Sequence, residues 1–392
     1  MSGLNFLNKL LDGVDVEWLS LGELGDFIRG NGLQKKDFVE SGFPAIHYGQ
    51  IYTRYGLSAD KTFTYVLPEL ANKLRKAQKN DLLLATTSEN DEDVVKPLAW
   101  LGDNVAISGD MMLFRHEQNV KYLAYFFQSE IFQTQKMKYI TGAKVRRVSS
   151  GDLSKIKIPI PCSNNPEKSL AIQSEIVRIL DKFSALTAAL TAELSMRKKQ
   201  YNYYRDQLLS FKEGEVEWKT LGEITTKIAS GRNKTRDADG KFPVYGSTGL
   251  IGFIDKAAYS GDLLLVARVG AYAGLVNAVS GHFDVSDNTL IIHPSDSWNV
   301  RFAFHQLRHM NLNQYAVGAG QPLITGGLLK NLKVPFPSLK EQTRIAKILD
   351  KFETITASIS EGLPREIELR QKQYEYYRDL LFSFPKPDAV SN

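Results

Sequence analysis

The chain has 392 residues, 43% of them hydrophobic, and a formal net charge of +5. That length allows two or three domains with real cores, and the overall charge alone points only weakly to a nucleic-acid partner. The single cysteine, Cys162, excludes a disulfide framework and a cysteine-based zinc site.

The N-terminal MSGLNFLNKLLDG lacks the charged, apolar and small-residue order of a signal peptide. No apolar run approaches the ~20 residues of a membrane helix. The expectation is a soluble, cytoplasmic protein with no membrane partner. The first strand signal is VEWLSLGEL at residues 16–24, followed by the apolar runs DLLLA at 81–85 and DMMLF at 110–114. Turn signals at 41, 102, 108 and 150 separate such runs, so residues 16–160 read as a mainly-β head with a helical piece over 121–139. Residues 136–157 hold Lys136, Lys138, Lys144, Arg146, Arg147, Lys155 and Lys157 against one carboxylate, Asp152. Charge concentrated in this way suits phosphates; a solvated, lysine-rich surface is the other reading.

Ile172, Ile176, Ile179, Phe183, Leu186 and Leu190 then step by four and three, which predicts a coiled-coil helix. Residues 216–336 read as a second mainly-β head with a helical piece over 300–314, and Ile345, Ile348, Phe352, Ile355 and Ile359 repeat the stripe. Each helix, at about 40 residues, would run about 60 Å. The second carries four extra residues between its phenylalanine and its tyrosines, close to one helical turn. The stripe should therefore survive as a stutter, with a kink or local break at Pro364.

The chain is a tandem repeat. VEWLSLGEL returns as VEWKTLGEI at 216–224, NDLLLATT at 80–87 as GDLLLVAR at 261–268, and LSKIKIPIP at 153–161 as LLKNLKVPFP at 328–337. EIVRILDKF at 175–183 returns as RIAKILDKF at 344–352, and YNYYRDQLLSF at 201–211 as YEYYRDLLFSF at 374–384. Leu10 and Leu11 precede the first VEW strand much as Leu209 and Phe211 precede the second, so the N-terminus resumes where the C-terminus stops. This predicts an α+β chain: two mainly-β heads joined by two long antiparallel coiled-coil helices in a pseudo-twofold circular tandem repeat. The parts are head one (1–165), the first long helix (166–212), head two (213–337), the second long helix (338–384) and a tail (385–392).

No G-x-S-x-G, Walker loop or H-E-x-x-H is present. HQLRH places His305 and His309 on one face without a glutamate between them, so neither a catalytic nor a metal site is expected. The loops fit nucleic-acid recognition better. In head two GRNKTRDADGKFPVYGSTG offers Arg232, Asn233, Lys234, Arg236, Tyr245, Ser247 and Thr248; Arg268, Tyr272 and Gln321 stand at later strand exits and glycine-flanked turns. Arginine grips guanine edges and Asn or Gln grips adenine, while hydroxyls hold phosphates. Head one offers Lys35, Lys36, His47, Tyr48, Gln50, Arg54, Thr86, Thr87, Ser88, Lys144, Arg146 and Arg147. Similar scaffolds with different loops are what two readers of two sequences require. The doubled tyrosines read as helix pairing or partner docking, through Phe183, Tyr201, Tyr204, Leu208, Phe352, Tyr374, Tyr377 and Leu381, with base stacking as the lesser alternative.

Taken as a set, VEWKTLGEI, FPVYGSTGLIG, SDNTLIIHP, LLKNLKVPFP and both helices give the whole chain a resemblance to the specificity subunit of type I restriction–modification enzymes. The resemblance implies two target recognition domains, each binding half of a split site in double-stranded DNA. It implies helices that act as a ruler and dock two methyltransferase subunits, with restriction subunits joining them. Catalysis, S-adenosylmethionine and ATP with Mg would then belong to those partners, and this chain would be no enzyme. Head one departs most, with IHYGQIYTRYG in place of VYGSTGLIG and KVRRVS in place of GQPLIT. The rival readings are a coiled-coil structural adaptor whose heads bind proteins, and a stand-alone methyltransferase or nuclease.

Overall fold

The computed structural model describes residues 9–384 except 12, 213, 238, 319, 359 and 360. The tail at 385–392 and Ile359 of the second stripe lie outside the described residues. The chain divides into two compact units, Met1–Ala188 with Glu368–Asn392, and Ala189–Ile367.

Unit one holds head one. Strand β1 (Val16–Ser20) begins it, followed by β2 (Gly25–Arg29), β3 (Phe43–Ile46), β4 (Leu82–Ala85), β5 (Thr87–Ser88), β6 (Lys96–Trp100), β7 (Val105–Ile107), β8 (Met111–His116), β9 (Arg146–Arg147) and β10 (Lys157–Pro161). β1 pairs antiparallel with β10, closing the head at its base. One sheet runs β2-β8-β4-β6 with Ser58–Ala59 at its edge; the other runs Thr64–Val66, β3, β7, Lys76–Ala77. β4 is buried at all four positions, as an unalternating apolar run in a central strand should be. The helical piece expected over 121–139 is two helices, α1 (Val120–Gln128) and α2 (Glu130–Met137). Ser129 separates them: its hydroxyl donates to the Phe126 carbonyl and accepts from the Phe132 N–H, ending one helix and capping the next. α1 carries Tyr122, Tyr125, Phe126 and Phe127 into the core.

Helix α3 (Pro166–Leu209) is continuous over 44 residues and passes from unit one into unit two. Head two repeats the plan with β11 (Glu217–Thr220), β12 (Thr225–Ser230), β13 (Phe242–Gly246), β14 (Gly249–Ile254), β15 (Leu263–Ala267), β16 (Val276–Val279), β17 (His282–Val285), β18 (Thr289–Pro294) and β19 (Lys333–Phe336). β11 pairs with β19, and the two larger sheets run β12-β18-β15-β16 and β14-β13-β17-Tyr259–Ser260. The shared strands follow the order of head one, which carries in addition the edge strand Ser58–Ala59 and the β5–β9 ladder. The difference follows β3 and β13. In head one His47 caps a short helix, Tyr48–Thr53, its ring accepting from the Gly49 N–H. In head two the chain turns back as a hairpin at Gly249, whose φ of +124° suits glycine. The helical piece expected over 300–314 is α4 (Val300–His309) followed by a 3-10 turn at Leu312–Tyr315.

The second long helix is not single. It comprises α5 (Leu339–Ala357) and α6 (Gly362–Phe382). The stripe is therefore not carried through one continuous helix as a stutter. Pro364 lies in the first turn of α6, where its missing N–H costs nothing, and Gly362 turns the chain at φ +79°. The break therefore falls upstream of the proline.

The repeat is circular in its packing. In unit one Ile172, Ile176 and Leu180 of α3 share a core with Leu381 and Phe382 of α6, and Leu10 and Leu11 pack against it. In unit two Leu209 at the end of α3 shares a core with Ile345 and Leu349 of α5, and Leu208 and Phe211 pack against it. Each unit is thus built from the end of one long helix, a head, and the start of the next.

Candidate nucleic-acid interface

In head two the candidate loops converge on one turn, residues 285–289, which leads into β18. The Arg232 and Asn233 N–H groups donate to the Val285 carbonyl, and Ser286 N–H donates to the Tyr245 carbonyl. The Ser247 hydroxyl and the Arg268 N–H both donate to the Asn288 carbonyl, at 3.0 and 2.9 Å. Leu323 joins through its bridge to Val269, with Gln321 exposed two residues before it. Arg232, Lys234, Arg236, Thr248 and Tyr272 are exposed around this hub. Asn233 is buried and donates to the Asp284 carboxylate at 2.6 Å. Its carbonyl oxygen, the Thr289 hydroxyl and the Arg268 Nε are buried without a hydrogen-bond partner among the described residues. Buried orphans of this kind are uncommon, and three around one turn mark it out.

The equivalent turn in head one is residues 107–110, leading into β8. Tyr48 N–H donates to the Ser108 hydroxyl, and Thr86 donates to the Asp110 carbonyl through both N–H and hydroxyl. Thr86 thereby takes the place of Arg268. His47 and Gln50 are buried and cap each other, and burial, with Lys35 nearby, pushes the His47 imidazolium down from its usual range. These buried groups shape the loop from within. Thr87 and Ser88 lie against Arg147 and Arg146 through the β5–β9 ladder. Lys35, Lys36, Lys144 and Arg147 are exposed, and Arg54 lies 5.8 Å over the Phe63 ring. The basic run at 136–157 is less available than its letters suggest. Lys136 is fully buried, Arg146 faces Asp91 at 2.8 Å, and Lys155 faces Asp152 at 2.8 Å.

The hub turns and Asp284 lie outside the residues that the loop chemistry alone points to, although the sequence carries a signal for the turns. SGDMMLF and SDNTLII place Ser and Asp or Asn before the same strand in both copies.

Residues 13–196 and 213–369 match the family model for the type I restriction modification DNA specificity domain. The chain belongs to this specificity family. It is 40% identical, over all of both chains, to the type I restriction enzyme EcoR124I/EcoR124II specificity subunit of Escherichia coli. It is 39% identical to the EcoprrI specificity subunit of Escherichia coli, covering 92% of this chain and 93% of that one. Among solved structures it is similar in fold to the type I restriction–modification S subunit from M. genitalium, with a TM-score of 0.61 at 17% identity over 96% and 98% of the two chains.

In this specificity chain the repeated ILDKF motif joins head to helix. Asp350 of α5 accepts from Arg301 at 2.7 Å and from His305 at 2.7 Å on α4, and Glu353 accepts from Arg301 and Arg308. Burial opposes ionisation of Asp350, but Arg301 and His305 outweigh it and hold the carboxyl below its usual range. His305, Asp350 and Glu353 bring ligand-type atoms together, yet the two arginines already answer their charge. The cluster reads as a joint. In unit one Asp181 takes the same place, accepting from Lys121 and from the Tyr125 hydroxyl. Buried Gln173 and Gln342 accept from the Asn119 and Asn299 N–H groups, completing each joint.

The doubled tyrosine motifs divide by position. Tyr377 stacks on Phe183 at 5.2 Å, Tyr204 stacks on Phe352 at 5.6 Å, and Tyr201 lies 6.3 Å from Phe352. Tyr374 packs beside Tyr125 and donates to Gln128. The middle tyrosine of each motif faces outward: Tyr203 and Tyr376 are each 62% exposed. Each sits edge-on to the next tyrosine, at 5.4 and 5.3 Å.

Proposed function

We propose that this chain is the non-catalytic, sequence-specific DNA-binding subunit of a type I restriction–modification complex in the cytoplasm. Head one reads one half of a bipartite site in double-stranded DNA and head two reads the other. The single observation that carries this reading is the pair of hub turns: corresponding central strands in the two heads gather dissimilar polar loops at the same place. Exposed Arg232, Lys234, Arg236 and Arg147 would meet phosphates and base edges, with Ser247, Thr87 and Ser88 setting register. Buried His47, Gln50, Asn233 and Thr86 hold those loops in shape. The long helices set the spacing of the half-sites and dock two methyltransferase subunits, to which restriction subunits add. S-adenosylmethionine and ATP with Mg act in those partners. Matching exposure of Tyr203 and Tyr376 supports two copies of one partner, since aromatic anchors often dominate such interfaces.

No helix among the described residues is long and apolar enough to cross a membrane. The test is methylome sequencing of cells expressing the chain with its cognate methyltransferase subunit. A split motif with a fixed gap is expected, and exchange of residues 232–248 should alter one half alone. Full assembly without any new methylated motif would overturn the reading.

A further inference from the structure

We propose that Lys136, which lies outside every loop of head one, is a positioning residue that sets the half-site read by that head. The inference rests on the reading of head one as a DNA reader and goes on to say what orients its arginine.

Lys136 lies on α2 with 0% of its surface exposed. Burying an ammonium is expensive unless its protons are met. Here Nζ donates to the Glu92 carbonyl at 2.8 Å and the Val94 carbonyl at 3.0 Å. Both belong to residues 86–95, the loop that leaves central strand β4. Val95 closes that loop at φ +68°, a conformation costly for a β-branched residue, so something must hold it. The Tyr52 hydroxyl, within 2.9 Å of the Thr87 carbonyl, grips the same loop from the other side.

The loop presents Asp91, Glu92 and Asp93 in succession. Beside phosphates, three adjacent carboxylates would repel; the Lys136 charge beneath them offsets this. Burial pulls that ammonium down to about 8, against the opposing pull of Asp93, Asp91 and Glu92. Asp91 then stands 2.8 Å from Arg146 Nε, while Arg146 Nη1 donates to the Gly142 carbonyl at 2.6 Å. The guanidinium is thus held by an ion pair at Nε and a hydrogen bond at Nη1, and Nη2 is the end proposed to read. The chain of support runs from Lys136 through the loop backbone to Asp91 and Arg146. No neutral side chain of lysine's length could both meet two carbonyls and balance the acidic run.

The test uses the full chain assembled with its methyltransferase subunit and compares wild type with Lys136→Met, Lys136→Arg, Asp91→Asn and Arg146→Ala by methylome sequencing. Head one's half is the half unmoved by exchange of residues 232–248. Lys136→Met should lower discrimination in that half at least tenfold and leave the other half intact. Lys136→Arg should restore part of it, a rescue that loss of bulk packing would not explain. If Lys136→Met fails to assemble, Asp91→Asn decides, because it leaves the buried lysine in place and should blur the same half. An unchanged motif in Lys136→Met or Asp91→Asn, with Arg146→Ala altering head one's half, would overturn the positioning role. An unchanged motif in Arg146→Ala as well would overturn the reading of this loop itself.

Discussion

In head one the loop leaving the central strand is closed by the ammonium of Lys136, whereas in head two the matching loop, residues 268–275, is closed by an amide and a glycine. Asn313 donates to the Ala273 carbonyl at 2.8 Å. Gly274, at φ +90°, lets the chain pass so near the 3-10 turn that an added Cβ would stand 2.5 Å from the Asn313 nitrogen. Both heads solve one problem: a loop leaving a strand buried at every position carries carbonyls that water cannot reach. The scaffold requires only that those carbonyls be met. The donor can therefore differ from head to head, and loop sequences can diverge without disturbing the sheets. The two fastenings differ in consequence, because a charge brings pH dependence and a glycine does not.

The comparison between units is broken most forcefully at the helix ends. Phe382 is fully buried among Tyr122 and Phe126 of head one, with ring centroids at 5.1 and 5.6 Å. Phe382→Ala should cost about 3–5 kcal/mol. Hydrogen exchange should show the loss in β4 and β8, although the substitution lies at the far end of the sequence. Faster exchange in β15 and β18 instead would refute the circular packing.

Next in size is the pH response of head one. A lysine held at about 8 in the fold and near ~10.4 in the unfolded chain leaves the folded state with fewer bound protons between those values. Stability should therefore be flat below pH 8 and rise above it, by up to ~3 kcal/mol at the limit. Denaturant titrations from pH 7 to 9.5 on wild type and Lys136→Met test this, since the buried tyrosines cancel in the difference. Equal slopes would show that Lys136 carries no displaced proton. Head two has its own counterpart in Gly274→Ala, where left-handed strain and backbone overlap should together cost about 2–3 kcal/mol. Its stability loss should show no pH dependence over the same range.

Most of the architecture was legible because periodicity survives in letters. The ILDKF stripes, the VEW strands and the order of the repeats all rest on apolar spacing, which packing dictates directly. A local break beside Pro364 is legible because proline disturbs the turn before it, whereas the resumption of the helix at Gly362, ahead of the proline, is not. The candidate site was legible only as loops. Nothing in the letters distinguishes buried Asn233 from exposed Lys234, since that depends on Asp284, fifty-one residues away. By its letters Lys136 belongs to a basic surface for the same reason: a lysine's burial is decided by carbonyls distant in sequence.

The smallest effect on the fold is expected at Tyr203 and Tyr376, and it bears on the twofold character of the whole comparison. Each is 62% exposed and touches chiefly the neighbouring tyrosine, so replacement by alanine should change stability by less than ~0.5 kcal/mol. If these rings anchor two copies of one methyltransferase subunit, each substitution should weaken one copy alone. Native mass spectrometry of the complex would then show one subunit retained by either single variant and none by the double variant. Truncating an aromatic anchor costs roughly 2 kcal/mol or more of binding, about thirtyfold in affinity, so the steps should be resolved. Two subunits retained by the double variant would remove the tyrosines from the interface. Loss of both subunits from one single variant would show instead that the two sites are coupled, and that the repeat acts as one surface.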